Sequence, residues 1–250
     1  MKRKLQDNLR RVHDRIANAC ARAGRDPREI TLVAVTKYVG VDVIRQLLDT
    51  GHTQIGESRV QELVRRAAMI REHQSRRSDA NTAEPPMPVW HMIGHLQRNK
   101  VKQVLPWVET IHSLDSLRLA EEVSSQAEKI ERTIDVLIQV NAADEAQKYG
   151  VAVGAVPHLA EQIVSLPNLR VCGLMAMAPL TEETATIAWT FGRLREIFED
   201  MAGERFLGPE FRHLSMGMSQ DFEIAIEQGA TMVRVGTALF EGLPTAEQAP

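Results

Sequence analysis

One pattern constrains this chain more than any other. A short run rich in β-branched and apolar residues is followed by an amphipathic segment, and the pair recurs eight times. The runs are TLVAVT (31–36), TQIG (53–56), VWHMIG (89–94), ETIHSL (109–114), TIDVLIQVN (133–141), LRVCGLMAM (169–177), FRHLSM (211–216) and TMVRVG (231–236). Strands that alternate with helices must run parallel, because each helix carries the chain back to the start of the sheet. Eight such units within 250 residues predict a closed (β/α)8 TIM barrel, one α/β domain over 1–250. A leading helix precedes the first strand, with Leu5, Leu9, Val12, Ile16 and Ala19 on one face. Gly24 and Pro27 are expected to end it. The polar, proline-rich stretch 74–88 reads as a surface loop, and 243–250 as a tail.

The bulk numbers exclude several classes. Hydrophobic residues make up 44% and charged residues 25%, as in ordinary globular chains. A net charge of −3 without a long basic block argues against nucleic acid as a partner. Cys20 and Cys172 stand far apart and form no recognisable framework, which suits a reducing, cytoplasmic setting. The N-terminus MKRKLQDNLRRVHDR lacks the apolar core of a signal peptide, and no run is long enough to span a membrane.

In a barrel of parallel strands, chemistry gathers at the C-terminal strand ends. Those ends carry Lys37, then Gly56-Glu57-Ser58, Gly94-His95, Ser113, Asn141, Met175-Ala176-Met177, Ser215-Met216-Gly217-Met218-Ser219 and Gly236-Thr237. Lys37 is the one lysine among them, and burial in the barrel mouth would favour the neutral amine that covalent chemistry needs. The loops after the seventh and eighth strands are the usual phosphate cradle of such barrels. Gly217 and Gly236 would let backbone N–H groups approach an anion. Ser219 would open the helix SQDFEIAIEQG and lend its hydroxyl, with Met218 beside it, and Thr237 would do the same at the next turn. Ser219 could equally serve only as a helix cap. A lysine with a phosphate cradle fits either pyridoxal 5'-phosphate (PLP) or a sugar-phosphate aldolase. Arg234 stands two residues before Gly236 and so faces the same side of its strand, toward the barrel interior. There it could meet a pyridine nitrogen or pair with an interior carboxylate.

The segments AVTK (34–37), GESRVQEL (56–63), WHMIGHLQRNK (90–100), VLIQVN (136–141), CGLMAM (172–177), LSMGMSQDFEIAIEQG (214–229) and MVRVGTALFEG (232–242) occur in one order along the chain. Together they resemble the pyridoxal phosphate homeostasis protein family, also described as proline synthetase co-transcribed homologues. That family is similar to the N-terminal barrel of alanine racemase, PLP fold type III. The resemblance implies that Lys37 forms the Schiff base with PLP and that Ser219, Gly236 and Thr237 bind its phosphate. It also places Arg234 against the pyridine nitrogen, with Ser215, Met218, Gly217, Ser58 and His91 around the cofactor. Three positions depart from the family pattern. Ser58 replaces the usual Asn, Tyr38-Val39-Gly40 follows Lys37 in place of Thr-Lys-Pro, and the fifth loop reads ADEAQKYG around Lys148.

A racemase of this fold needs a second base on the far face of the cofactor, supplied by resemblance from a tyrosine of an additional C-terminal domain. The chain ends at Pro250 and carries only Tyr38 and Tyr149, neither in a matching motif. A guanidinium beside the pyridine nitrogen also keeps that nitrogen unprotonated, which weakens the ring as an electron sink. The expectation is therefore a monomeric, non-catalytic PLP holder in vitamin B6 homeostasis, in passing contact with PLP-dependent apo-enzymes. A PLP-dependent amino-acid racemase is the alternative. His91 and His95 are four apart but straddle a strand and its loop, so they do not predict a metal site.

Overall fold

The structure, a computed structural model, describes residues 1–79, 86–143 and 149–245. Eight parallel strands close into a ring. They are β1 (Thr31–Val35), β2 (Gln54–Glu57), β3 (Val89–Met92), β4 (Val108–Leu114), β5 (Ile134–Asn141), β6 (Leu169–Met175), β7 (His213–Ser215) and β8 (Met232–Val235). Each pairs with its sequence neighbour, and β1 pairs with β8 through Thr31↔Met232 to Ala34↔Val235. The ring closure removes every free edge that an open sheet would leave. A two-residue strand, Val151–Ala152, adds to the end of β5.

The helices are α1 (Lys2–Ala23), α2 (Val41–Leu48), α3 (Val60–Asp79), α4 (Val101–Val104), α5 (Leu117–Lys129), α6 (Val156–Val164), α7 (Thr184–Ala202), α8 (Phe222–Glu227) and α9 (Thr237–Phe240). Helix α1 ends at Gly24, in the left-handed conformation with φ 65°. Helix α3 extends six residues beyond its expected end at His73. Gln74 is buried and donates to the carbonyl of Pro86 at 2.7 Å, and Arg76 pairs with Glu72 one turn back. These contacts, with no Gly or Pro before Pro85, carry the helix through 74–79. Residues 80–85 of that stretch, 246–250 of the tail, and Lys148 lie outside the described residues.

Two layers of side chains follow from strand alternation. On β8, Val233 and Val235 join the large apolar core beneath the helices. Met232 and Arg234 face the other way: Met232 packs with Leu137, Cys172 and Met175, and Arg234 reaches the polar groups described below. The outer layer supplies the stability, at about 1.5–3 kcal/mol for each large apolar side chain buried. The lumen is part apolar and part polar.

Helix α1 packs on α8 and α9, and its polar residues tie down the loops at the barrel mouth. Asn8 is fully buried and donates to the carbonyls of Leu239 and Glu241, both at 3.0 Å. Arg15 forms a two-armed pair with Glu223, 2.8 Å on each arm, and lies over the Phe222 ring. Arg25 donates to the carbonyls of Ile226 and Ala230. The side chains that satisfy these helix ends come from α1 and, for Arg25, from the turn just after it, more than 200 residues away in the chain.

Candidate functional site at the barrel mouth

Lys37 begins the turn after β1. The residue before it is held on every polar atom. Thr36 N–H donates to Gly56 O at 3.1 Å, its hydroxyl donates to Glu57 Oε1 at 2.5 Å, and its carbonyl accepts from Arg66 Nη1 at 2.5 Å. Arg66 and Glu57 also form an ion pair at 2.5 Å, both side chains fully buried. Burial pushes the Glu57 carboxyl up, and Arg66 and the Thr36 hydroxyl pull against it. The backbone that launches Lys37 is therefore rigid. The side chain itself is exposed, which corrects the expected burial of its amine. The strand ends one residue earlier, and Nζ instead lies 4.8 Å from the centroid of the exposed Tyr38 ring.

The turns after β7 and β8 meet at Ser219. Its Oγ accepts from the backbone N–H of Gly236 at 3.1 Å and of Ala238 at 3.3 Å. The predicted start of the following helix is corrected by this geometry. Helix α8 begins at Phe222, because Asp221 takes the Met218 N–H on its carboxylate at 2.5 Å and organises the turn. Ser219 is thus released from capping and reaches across to the next strand end. Thr237 is exposed at the first residue of α9, and Met218 is 41% exposed at the rim. Gly217 has a structural reason to be glycine. Its φ is 89°, and a Cβ there would lie 2.6 Å from Ala225 Cβ and 2.8 Å from Phe222 Cα.

Arg234 lies beneath these turns, 4% exposed. It donates to Ser215 O at 2.7 Å, Ser215 Oγ at 2.6 Å and Ala176 O at 2.9 Å. Among the described residues no carboxylate pairs with it, so the alternative of an interior ion pair does not hold. Burial pulls its pKa down to about 10, with only the charge of Asp221 acting against that. A buried cation with three neutral acceptors is an unbalanced charge.

Other expected residues lie elsewhere. His91 is buried within the lumen and joined to Gln54 and His112, so it reaches Arg234 only through intervening side chains. Ser58 contributes backbone: a Cβ on Gly94 would collide with the Ser58 carbonyl, so these two strand ends pack main chain to main chain. His95 stacks on Tyr149 with centroids 4.1 Å apart.

Comparison with known proteins follows the same outline. Residues 4–244 match the family model for the N-terminal domain of alanine racemase. The chain is 40% identical over 234 residues to the pyridoxal phosphate homeostasis protein of Aquifex aeolicus, covering 94% of this chain and 96% of that one. The chain belongs to the pyridoxal phosphate homeostasis protein family. A crystal structure of an unknown protein from Bifidobacterium adolescentis superposes with a TM-score of 0.85 at 37% identity, over 96% of this chain and 95% of that one. PipY of Synechococcus elongatus PCC7942, a structure with PLP bound, gives a TM-score of 0.74 at 30% identity, over 92% and 99% of the two chains.

Within this family member, sequence reasoning passes over two sets of residues. Thr36, Glu57 and Arg66 lie at or just behind strand ends, and Glu57 is visible as a charge closing an apolar strand. Gln54 and His112 are polar residues inside strand runs, a pattern that marks either an edge or a polar lumen. Among the described residues no helix is long and apolar enough to cross a membrane.

Proposed function

We propose that this protein binds PLP reversibly at the barrel mouth and serves PLP homeostasis rather than turnover of a substrate. The carrying observation is Arg234, a buried cation held by neutral groups only, next to a turn of backbone donors and a launched lysine. Such a cation favours a ligand atom that accepts a hydrogen bond, as an unprotonated pyridine nitrogen does. The Gly236 and Ala238 N–H groups, which converge on Ser219 Oγ, are donors that phosphate oxygens could share or take over, with the Ser219 hydroxyl beside them. The PLP-bound structure of PipY and the names of the relatives support the same reading.

When bound, PLP supplies an aldehyde that a primary amine engages reversibly. The protein's own groups do the rest. Lys37 offers that amine from a backbone clamped at Thr36. The Ser219 turn, with Thr237 and Gly236, orients the phosphate end, and Arg234 orients the ring end. Helix α1 keeps the phosphate turns from opening. Tyr38 adjoins Lys37 in sequence and stands on the lysine's own side, and Tyr149 is engaged by His95. Neither arrangement provides a base poised opposite Lys37, which favours a carrier over a racemase. We further propose that the protein acts as a cytoplasmic monomer and passes PLP to apo-enzymes.

Titration with PLP tests this. The expected outcome is Schiff-base absorbance that disappears in Lys37→Ala; an unchanged band in that variant ends the assignment of Lys37. Incubation of the loaded protein with chiral amino acids separates the alternative, because stereoinversion at about 1 per second or faster is enzymatic turnover and excludes a pure carrier.

A further inference from the structure

Five side chains from five strands form one unbroken row across the lumen. His91 Nε2 lies 2.7 Å from Gln54 Oε1, and His91 Nδ1 lies 3.0 Å from His112 Nε2. His112 Nδ1 lies 2.9 Å from Ser215 Oγ, and Ser215 Oγ accepts from Arg234 Nη1 at 2.6 Å. The strands are β2, β3, β4, β7 and β8 in turn.

The row admits one direction of donation. Gln54 Oε1 can only accept, so His91 donates from Nε2. A neutral imidazole then accepts at Nδ1, so His112 donates from its own Nε2. That leaves His112 Nδ1 to accept from the Ser215 hydroxyl, whose oxygen in turn accepts from Arg234. Both histidines are neutral in the Nε2–H form. A proton added to either would turn His112 Nδ1 into a donor, so the Ser215 hydroxyl would lose its acceptor and its oxygen would have to take both His112 and Arg234. Burial is the main force against that proton, and the charged groups acting on the pair, His52, His213 and Arg234, are all cationic when charged and add to it.

We propose that Gln54, His91, His112 and Ser215 form a one-way positioning row that holds the charged Arg234 guanidinium against the pyridine nitrogen of bound PLP and keeps that nitrogen unprotonated. The proposal rests on the PLP reading above and goes beyond it in naming what aims the arginine. Arginine has five N–H donors. Three are used on Ser215 and Ala176. Among the described residues nothing engages the other two, which leaves them for the ring. His91 and His112 act through Arg234 and are positioning residues.

Two measurements test the row, and the first needs no PLP. With 15N-labelled histidine, the ligand-free protein is expected to show two neutral Nε2–H imidazoles that do not titrate between about pH 5.5 and about 8.5. An Nδ1–H tautomer, or titration of either ring in that range, overturns the proposal. The second uses PLP labelled with 15N in the ring. The wild-type resonance is expected to stay at the unprotonated position over the same range. In His112→Leu the resonance becomes pH-dependent and the dissociation constant for PLP rises about three- to tenfold, the worth of one hydrogen bond. His112→Gln, which can accept from Ser215 and donate to His91, restores both. Should His112→Leu fail to fold, Ser215→Ala removes the same link with little change in volume. Unchanged ring signal and affinity in the broken rows overturn the proposal. If no ring resonance of bound PLP is found, the PLP reading itself falls, and the imidazole spectrum still decides the row.

Discussion

Two polar clusters meet on strand β2 of this barrel, one through Glu57 and the other through Gln54, and they solve the cost of burial differently. Thr36, Glu57 and Arg66 set one negative charge directly against one positive, and Glu62 adds a second carboxylate 3.3 Å from Arg66. Gln54, His91, His112, Ser215 and Arg234 are neutral until the last member, whose charge has no carboxylate hydrogen-bonded to it among the described residues and feels only Asp221 at longer range. A balanced pair fully desolvated is a structural device, since removing either partner strands the other. An unbalanced cation costs the empty fold free energy that a complementary ligand can return. On the proposed reading, the first cluster aims the lysine and the second receives the ring.

The contrast breaks most visibly at Arg66. Arg66→Met leaves Glu57 alone in the interior and is expected to cost about 3–5 kcal/mol in urea unfolding. Adding Glu57→Gln should recover more than half of that loss; a double variant no better than the single would remove the ion pair from the argument.

The neutral row is broken by acid instead. Burial holds His91 at about 4 against an ordinary 6.5, so between those values the unfolded chain binds a proton that the native state refuses. Stability should be level above about pH 6.5 and fall as the pH drops toward 4, by on the order of 3 kcal/mol from His91 alone. Chemical denaturation in a pH series checks this. A profile that is flat through the window contradicts a neutral buried imidazole.

Arg234→Met sharpens the difference. It removes an unmatched charge and leaves the Ser215 and Ala176 carbonyls short of a donor, so the ligand-free fold should lose only about 1–2 kcal/mol. PLP affinity should fall far more than stability does. The smallest effect belongs to Thr36→Val, which keeps the shape and drops one hydroxyl. About 1 kcal/mol of stability and slower formation of the Lys37 absorbance band are expected in stopped-flow mixing.

Much of this architecture is legible in the residues alone. Each of the eight strands falls within two residues of its apolar run, because a parallel strand covered on both faces leaves a continuous hydrophobic signature. Lys37 and Arg234 follow from the position of strand ends and the two-residue alternation. The helices at the mouth are less legible. Helix α8 starts three residues late because the Asp221 side chain competes for the Met218 amide, a local preference that periodicity does not register. The exposure of Lys37 escapes the sequence for a related reason: a strand's last residue and the residue after it share a sequence pattern but not an environment.

What the sequence determined by itself was the period, and with it the barrel, its mouth and the lysine there. It could not say which polar residues would meet. His112 and Ser215 are 103 residues apart, Arg66 reaches Thr36 across 30, and Ser219 finds Gly236 across 17. Hydrogen bonds depend on distances of a few tenths of an ångström and on direction, and neither is written in local propensity. Only closure of the ring brought the five strands of the row to face one another, and so decided that Arg234 would be held by neutral groups and left with its charge unmatched.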